Sequence, residues 1–200
     1  MVYRIKFFKI LIVLFVFLSF TKSSFAVNPS EFVQITVNEA SSILGNNYSK
    51  EEKINKLKEI ARRTVDIKGI GYYSLGAYRK NISEDKKKEY LNIFEKYFLK
   101  SFSSRLAEYT DPKIKVNSEK KLNQKYTMVS SVLVATDDKP EIKIDWRVNT
   151  KNPDNPLIID VVIEGVSLAK VQKEEFNSII QNNDNNIDAL LLSLKEFSKE

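Results

Sequence analysis

Residues 141–148, EIKIDWRV, alternate without exception: Glu141, Lys143, Asp145 and Arg147 are charged, and Ile142, Ile144, Trp146 and Val148 are apolar. Successive side chains of a strand point to opposite faces, so this octet predicts a strand with one wet face and one covered face. An apolar sheet face needs a second layer, and the rest of the chain supplies helices for it. Asn28-Pro29-Ser30-Glu31 reads as a helix start, with Asn as cap and Pro at the first helical position. Phe32, Ile35, Ala40 and Ile43 follow on one face as far as Leu44, before Gly45. Ser49-Lys50-Glu51-Glu52 is a capping box ahead of Ile54, Leu57, Ala61, Thr64 and Val65. Ser83 opens the longest helix, about 84–109, whose expected inward face is Tyr90, Ile93, Phe94, Tyr97, Phe98, Ser101 and Phe102.

Further strands are expected at 125–135 and 157–164, with a short edge strand at 114–117. The connections between them are short, which favours antiparallel neighbours. The strand at 157–164 is expected to turn Leu157, Ile159, Val161 and Ile163 to the covered side. Two helices, about 167–182 and 187–199, close the chain. The predicted fold class is therefore α+β: an antiparallel sheet of about four strands covered on one face by several helices. Neither a repeat nor a composition shift marks a second domain, so residues 27–200 are expected to form one.

The chain begins with a different kind of segment. Arg4, Lys6 and Lys9 precede the 11 residues 10–20, apolar except for Ser19, and Ser24 and Ala26 occupy the positions a signal peptidase reads. This is the pattern of a secretory signal peptide, residues 1–26, cleaved after Ala26. Spanning a bilayer takes about 20 apolar residues, more than this run has. No Cys follows the cleavage site, which excludes a lipid-anchored lipoprotein.

Export also alters the charge. Arg4, Lys6, Lys9 and Lys22 are four of the chain's 32 basic residues, and none of the 26 acidic ones lies in residues 1–26, so the mature chain carries a formal +2. Lys86–Lys88 and Lys50/Lys53 sit among acids. Without a clustered surplus there is no electrostatic footprint for nucleic acid.

The chain holds no His and no Cys. Ser-His-Asp and Cys-His nucleophile arrangements are excluded, as are His- or Cys-liganded zinc sites. Carboxylate or lysine chemistry remains, and a carboxylate pair forms in space rather than in sequence. Gly71 and Gly76 match the spacing of a phosphate loop, but Ala77-Tyr78 stands where Lys-Ser/Thr is required. Small residues there let the segment bend or pack closely between helices. Nine aromatics lie between Tyr72 and Tyr109. They read either as plain core or as the wall of a wedge between helices and sheet, a common place for an apolar site.

Three stretches carry a resemblance. DVVIEGVSLA (160–169), LGAYRKNISEDKKKEYLNIFEKYFLKSF (75–102) and the terminal NIDALLLSLKEF resemble the MlaC family of periplasmic phospholipid-binding proteins, and the EGVS corner after an apolar strand is the most specific feature. The resemblance implies a soluble, non-enzymatic carrier that moves phospholipid between outer and inner membranes and so maintains outer-membrane lipid asymmetry. It implies no cofactor beyond the phospholipid cargo. The implied partners are an inner-membrane ABC transporter complex with an MCE-domain ring and an outer-membrane lipoprotein–porin complex.

The acyl chains are then expected in an apolar pocket between sheet and helices, with the headgroup near its opening. Carried over by position, Val166 touches lipid and Gly165 permits the corner. Leu75-Gly76 and Tyr78-Arg79, with Phe94 and Phe98 of the aromatic stripe, stand on the helical wall. The sheet wall is Ile142, Ile144, Trp146, Val161 and Ile163, which rests on alternation alone. Pro156 and Ile159 replace a frequent Trp and Tyr of the family, and Gln172-Lys173 replaces Tyr-Arg. Two other readings stay open: an α+β cone-fold enzyme using an acid such as Asp145 or Asp160 on an apolar substrate, and an interaction protein whose aromatics are only core.

Overall fold

The computed structural model describes residues 27–137 and 140–199. The expected signal peptide lies outside the described residues. Four helices come first: α1 (Pro29–Gly45), α2 (Lys50–Thr64), α3 (Ile67–Ser74) and α4 (Glu84–Leu106), with a 3-10 turn at Gly76–Lys80. The strands β1 (Ile114–Lys121), β2 (Tyr126–Leu133), β3 (Ile142–Asn149), β4 (Leu157–Ile163) and β5 (Val166–Ser167) follow, then α5 (Leu168–Gln181) and α6 (Ile187–Lys199). None of these helices is long and apolar enough to cross a membrane.

The caps form as their side chains dictate. Asn28 accepts from the backbone N–H groups of Ser30 and Glu31. Ser49 and Glu52 satisfy each other's backbone N–H in a reciprocal box, and Ser83 accepts from Lys86 N–H. Each removes orphan donors from a helix start.

The sheet is an antiparallel meander in the order β1-β2-β3-β4-β5. It has five strands rather than about four, because Val166-Ser167 pairs with Val162 and Ile163. The edge strand β1 runs to Lys121, well past the expected Asn117. Its second half, Ser118 to Lys121, is polar and exposed, which blunts an open edge against further pairing.

A bulge between Asp160 and Ile158, opposite Arg147 and Val148, resets the register of β4. The inward residue at that end is consequently Ile158, which is buried, and not Leu157 or Ile159 as simple alternation predicts. One extra residue in a strand moves every side chain beyond it to the other face.

The buried apolar residues form three clusters. The largest is built from helices alone: Leu75, Tyr90, Phe94, Phe176, Ile180 and Leu190 are among its members, and no strand residue belongs to it among the described residues. A second joins α1 to the sheet through Val33, Val37, Val129 and Val148. A third packs Leu44 on Leu57 and Ile60. The longest helix, α4, lies against α2, α3 and α6. It therefore buries Leu99 and Ser103 in addition to the stripe of Tyr90, Ile93 and Phe94.

Close packing accounts for the glycine-punctuated segment. A Cβ on Gly71 would stand 2.8 Å from Phe94 Cδ1, and the Tyr90 hydroxyl donates to the Gly71 carbonyl at 3.0 Å. Only a residue without a side chain lets α3 approach α4 this closely.

Candidate functional site

Residues paired across antiparallel strands share a face. The register therefore decides which side chains meet. Val166 pairs with Ile163, Ile163 with Ile144, and Ile144 with Ser131. One step along, Val161 pairs with Trp146 and Trp146 with Val129; at the other end Ile142 pairs with Leu133. The predicted sheet-wall residues Ile142, Ile144, Trp146, Val161 and Ile163 thus lie on one face together with Val166.

Helix α1 covers only part of that face. Phe32, Val33 and Val37 pack on Ile114, Val116, Val129, Val148 and Trp146. Across β3 to β5 the same face stays open in degree: Ile142, Trp146, Val161 and Ile163 are half-buried, and Val166 is 53% exposed. Among the described residues of β3 to β5, no ionisable side chain projects from this half. The carboxylates of β3 and β4 lie opposite, since Asp145 pairs with Ser130 and Val162, and Asp160 with Arg147.

A tight corner bounds the open half. Glu164 and Gly165 connect the paired residues Ile163 and Val166 with φ of 49° and 81°, so the backbone is left-handed at both turn positions. That is the pattern of a type I′ hairpin turn, and Gly165 is where a side chain is least tolerated. Strand β5 runs two residues and passes straight into α5, capped by Ser167 through Lys170 N–H.

Asp160 holds the corner together. Its carboxylate, 4% exposed, accepts from Ser167 Oγ at 2.7 Å, from Ala169 N at 3.0 Å and from Arg147 Nη1 at 3.3 Å. Asp145 accepts from Ser130 Oγ at 2.6 Å and pairs with Lys143 Nζ at 3.2 Å. Both acids serve the fold on the face away from the apolar surface. Just past the corner, Leu168 and Val171 are exposed, so apolar surface continues onto the first turn of α5.

The helical candidates stand in a different cluster. Leu75 ends α3 and Phe94 lies mid-α4, both closed to solvent. Tyr78 and Phe98 are partly buried against the same core, and the Tyr78 hydroxyl donates to Asn185 Oδ1 at 2.8 Å. Gly76 takes φ 57° and Arg79 is exposed. Phe94 contacts Tyr90, Tyr97, Phe98 and Phe176 ring to ring.

Two phenols are embedded in this core. Burial pushes the Tyr90 hydroxyl well above the ordinary tyrosine range. Burial, aided by Glu175, also raises Tyr97. Both stay neutral at physiological pH, so they place no charge beside hydrocarbon. Gln172 accepts from the Tyr97 hydroxyl at 3.0 Å, tying α5 to α4, while the Lys173 ammonium lies 5.3 Å from the Tyr73 ring centroid.

A separate groove of about 530 Å³ lies between the end of α1 and the start of β1. Its lining includes Asn38, Ser41, Ser42, Asn46, Asp111 and Lys113, and none of the candidate residues. Pro112, Ile114 and Val134 add apolar surface to the same groove. Among the described residues no cluster of acids is placed to hold a metal ion.

Sequence reasoning missed Leu133 and Ser131, which share the apolar face. The run TMVSSVLV has no clean alternation, so β2 had no legible face until β3 supplied the register.

The fold and the family agree with known proteins. A structure of the phospholipid-binding protein from Ralstonia solanacearum in complex with a phospholipid superposes with a TM-score of 0.71 at 16% identity, covering 86% of this chain and 98% of that one. The family described as "MlaC protein" matches residues 34–196, most of the chain. The chain belongs to the MlaC family.

Proposed function

We propose that this protein is a periplasmic phospholipid carrier that makes and breaks no bond in its cargo. The observation that carries the reading is the half-covered apolar face: Ile142, Trp146, Val161, Ile163 and Val166 are aligned by the register and left partly open, and among the described residues of β3 to β5 no ionisable side chain shares that face, Glu119 and Lys121 standing at the β1 end. Acyl chains laid on it are sheltered from water, with the headgroup toward the Gly165 corner, while Leu75 and Phe94 belong to the separate all-helical core, and Tyr78 and Phe98 pack against it.

The energetics suit a shuttle. A two-chain phospholipid carries on the order of 30 CH₂ groups at about 0.8 kcal/mol each, or roughly 24 kcal/mol for transfer out of water. Unassisted crossing is negligible. The bilayers at either end offer the same apolar surroundings, so a carrier need only match them. An uncharged surface does so, whereas a buried unpaired charge costs several kcal/mol.

Family membership extends the proposal. Residues 1–26 direct export and are removed after Ala26, leaving 27–200 as one lipid-binding domain. The partners are an inner-membrane ABC transporter complex presenting an MCE-domain ring and an outer-membrane lipoprotein–porin complex, and the pathway preserves outer-membrane lipid asymmetry. The use of Asp160 and Asp145 in structural hydrogen bonds is what favours the carrier over the cone-fold enzyme.

Incubated with phospholipid vesicles and re-isolated, the full mature chain is expected to hold about one phospholipid per protein, recovered chemically intact. Release of fatty acid or lysolipid would favour the enzyme, and persistently empty protein would refute the carrier.

A further inference from the structure

We infer that the Trp146 indole is the end wall of the acyl-chain surface and that Ser131 is the residue positioning it, so that this pair sets which acyl lengths are carried. The inference rests on the carrier reading and goes beyond it by assigning the length limit to two residues. Trp146 stands where the covered and open halves of the face meet. On one side it packs with Val33, Val37, Val129 and Val148 beneath α1. On the other it pairs with Val161 of the open half, and its ring stays half-buried.

A polar chain fixes the ring in that position. Trp146 Nε1–H donates to Ser131 Oγ at 2.8 Å, and the Ser131 hydroxyl donates to the Ile144 carbonyl at 3.0 Å. Ser131 is 1% exposed and is the polar member of the row Val166–Ile163–Ile144–Ser131. Both capacities of its hydroxyl are used, one to receive the indole and one to anchor to the strand next door. Turning the ring would strand a donor on an apolar surface, so it is held.

The geometry makes this ring a stop. From the exposed Val166 to Ile144, itself buried at 8% exposure, the face spans two strand spacings, about 10 Å, and Trp146 lies two residues further, about 7 Å along β3. Beyond it the face is filled by α1. A chain laid inward from the Gly165 corner therefore runs over aliphatic side chains and meets the indole. Adding or removing a methylene against a fixed apolar wall changes preference by roughly tenfold or more.

The test reads acyl-length profiles of lipid bound to the full mature chain and to Trp146→Ala, Trp146→Phe, Ser131→Ala and Ser131→Thr variants, each loaded from the same mixed-length phospholipid vesicles. In Trp146→Ala the ratio of longer to shorter species is expected to rise roughly tenfold, with a smaller rise in Trp146→Phe. Ser131→Ala is expected to shift the profile in the same direction and to change the tryptophan emission, and Ser131→Thr to restore both. Unchanged profiles in both Trp146 variants overturn the wall. Loss of all bound lipid in both overturns it too, since the ring would then hold lipid rather than limit it. A Ser131→Ala protein with wild-type profile and emission overturns the positioning role. An empty wild-type chain instead fails the carrier reading itself.

Discussion

Val166→Glu is expected to empty the protein without unfolding it. Val166 is 53% exposed on a two-residue strand, so a glutamate there meets water in the free protein. Exposed substitutions of this kind usually change stability by no more than about 0.5 kcal/mol. With lipid bound, the same carboxylate faces hydrocarbon on a surface whose neighbours, Ile163 and Ile144, offer it no partner. Leaving a charge in that setting costs at least about 3 kcal/mol, which corresponds to roughly a hundredfold loss of affinity. Solvent extraction and a thermal melt of the same preparation check both halves. Full loading of the variant would remove Val166 from the site.

Asp160→Ala is expected to have the opposite signature, a large loss of stability. The carboxylate joins three elements: Arg147 of β3, Ser167 of β5 and the first turn of α5 at Ala169. Its removal strands a hydroxyl and a backbone N–H at a buried corner, while the Arg147 side chain, 40% exposed, keeps its access to water. Leaving each of these two donors without its acceptor costs about 1–3 kcal/mol. For a domain of this size that lowers Tm by roughly 10 °C. Asp160→Asn retains one acceptor oxygen and is expected to lose about half as much. The outcome bears on function as well, because replacing a catalytic acid commonly leaves stability unchanged or improves it. A Tm at or above wild type for Asp160→Ala would reopen the enzyme reading.

Much of this architecture was legible in the residues, and the exceptions have physical causes. The alternation from Glu141 to Val148 gave the covered face of β3 because one side of that strand is wet. Strand β4 is apolar on both faces apart from Asp160, so its pattern concealed the bulge that turns Ile158 inward. Asp160 reads in the sequence as a candidate acid, and its structural hydrogen bonds emerge only where the strand–helix corner closes around it. Strand β5 was missed because two residues carry no periodicity; a left-handed Glu164-Gly165 turn and the pairing to β4 define it. Helix α4 has a second buried stripe at Leu99 and Ser103 because neighbours flank it on more than one side, which a single-face reading does not anticipate.

The candidate site divides along the same line. Its strand half came from alternation, and the register brings those residues together with Val166. Its helical half came from the family resemblance for Leu75 and Tyr78 and from the aromatic stripe for Phe94 and Phe98, and all four belong to or pack against the all-helical cluster. Ser131 and Leu133 became visible only through pairing, since neither their identity nor their spacing marks them.

Trp146 is the chain's single tryptophan and stands on the face assigned to hydrocarbon, so it reports on the central claim directly. Phospholipid carrying bromine on its acyl chain is loaded into the mature protein, and tryptophan emission is compared with that of protein loaded with the unlabelled lipid. Strong quenching, lost when the lipid is extracted, is the expected result. Emission indifferent to bromine in a protein shown to be loaded would contradict it and place the tails elsewhere.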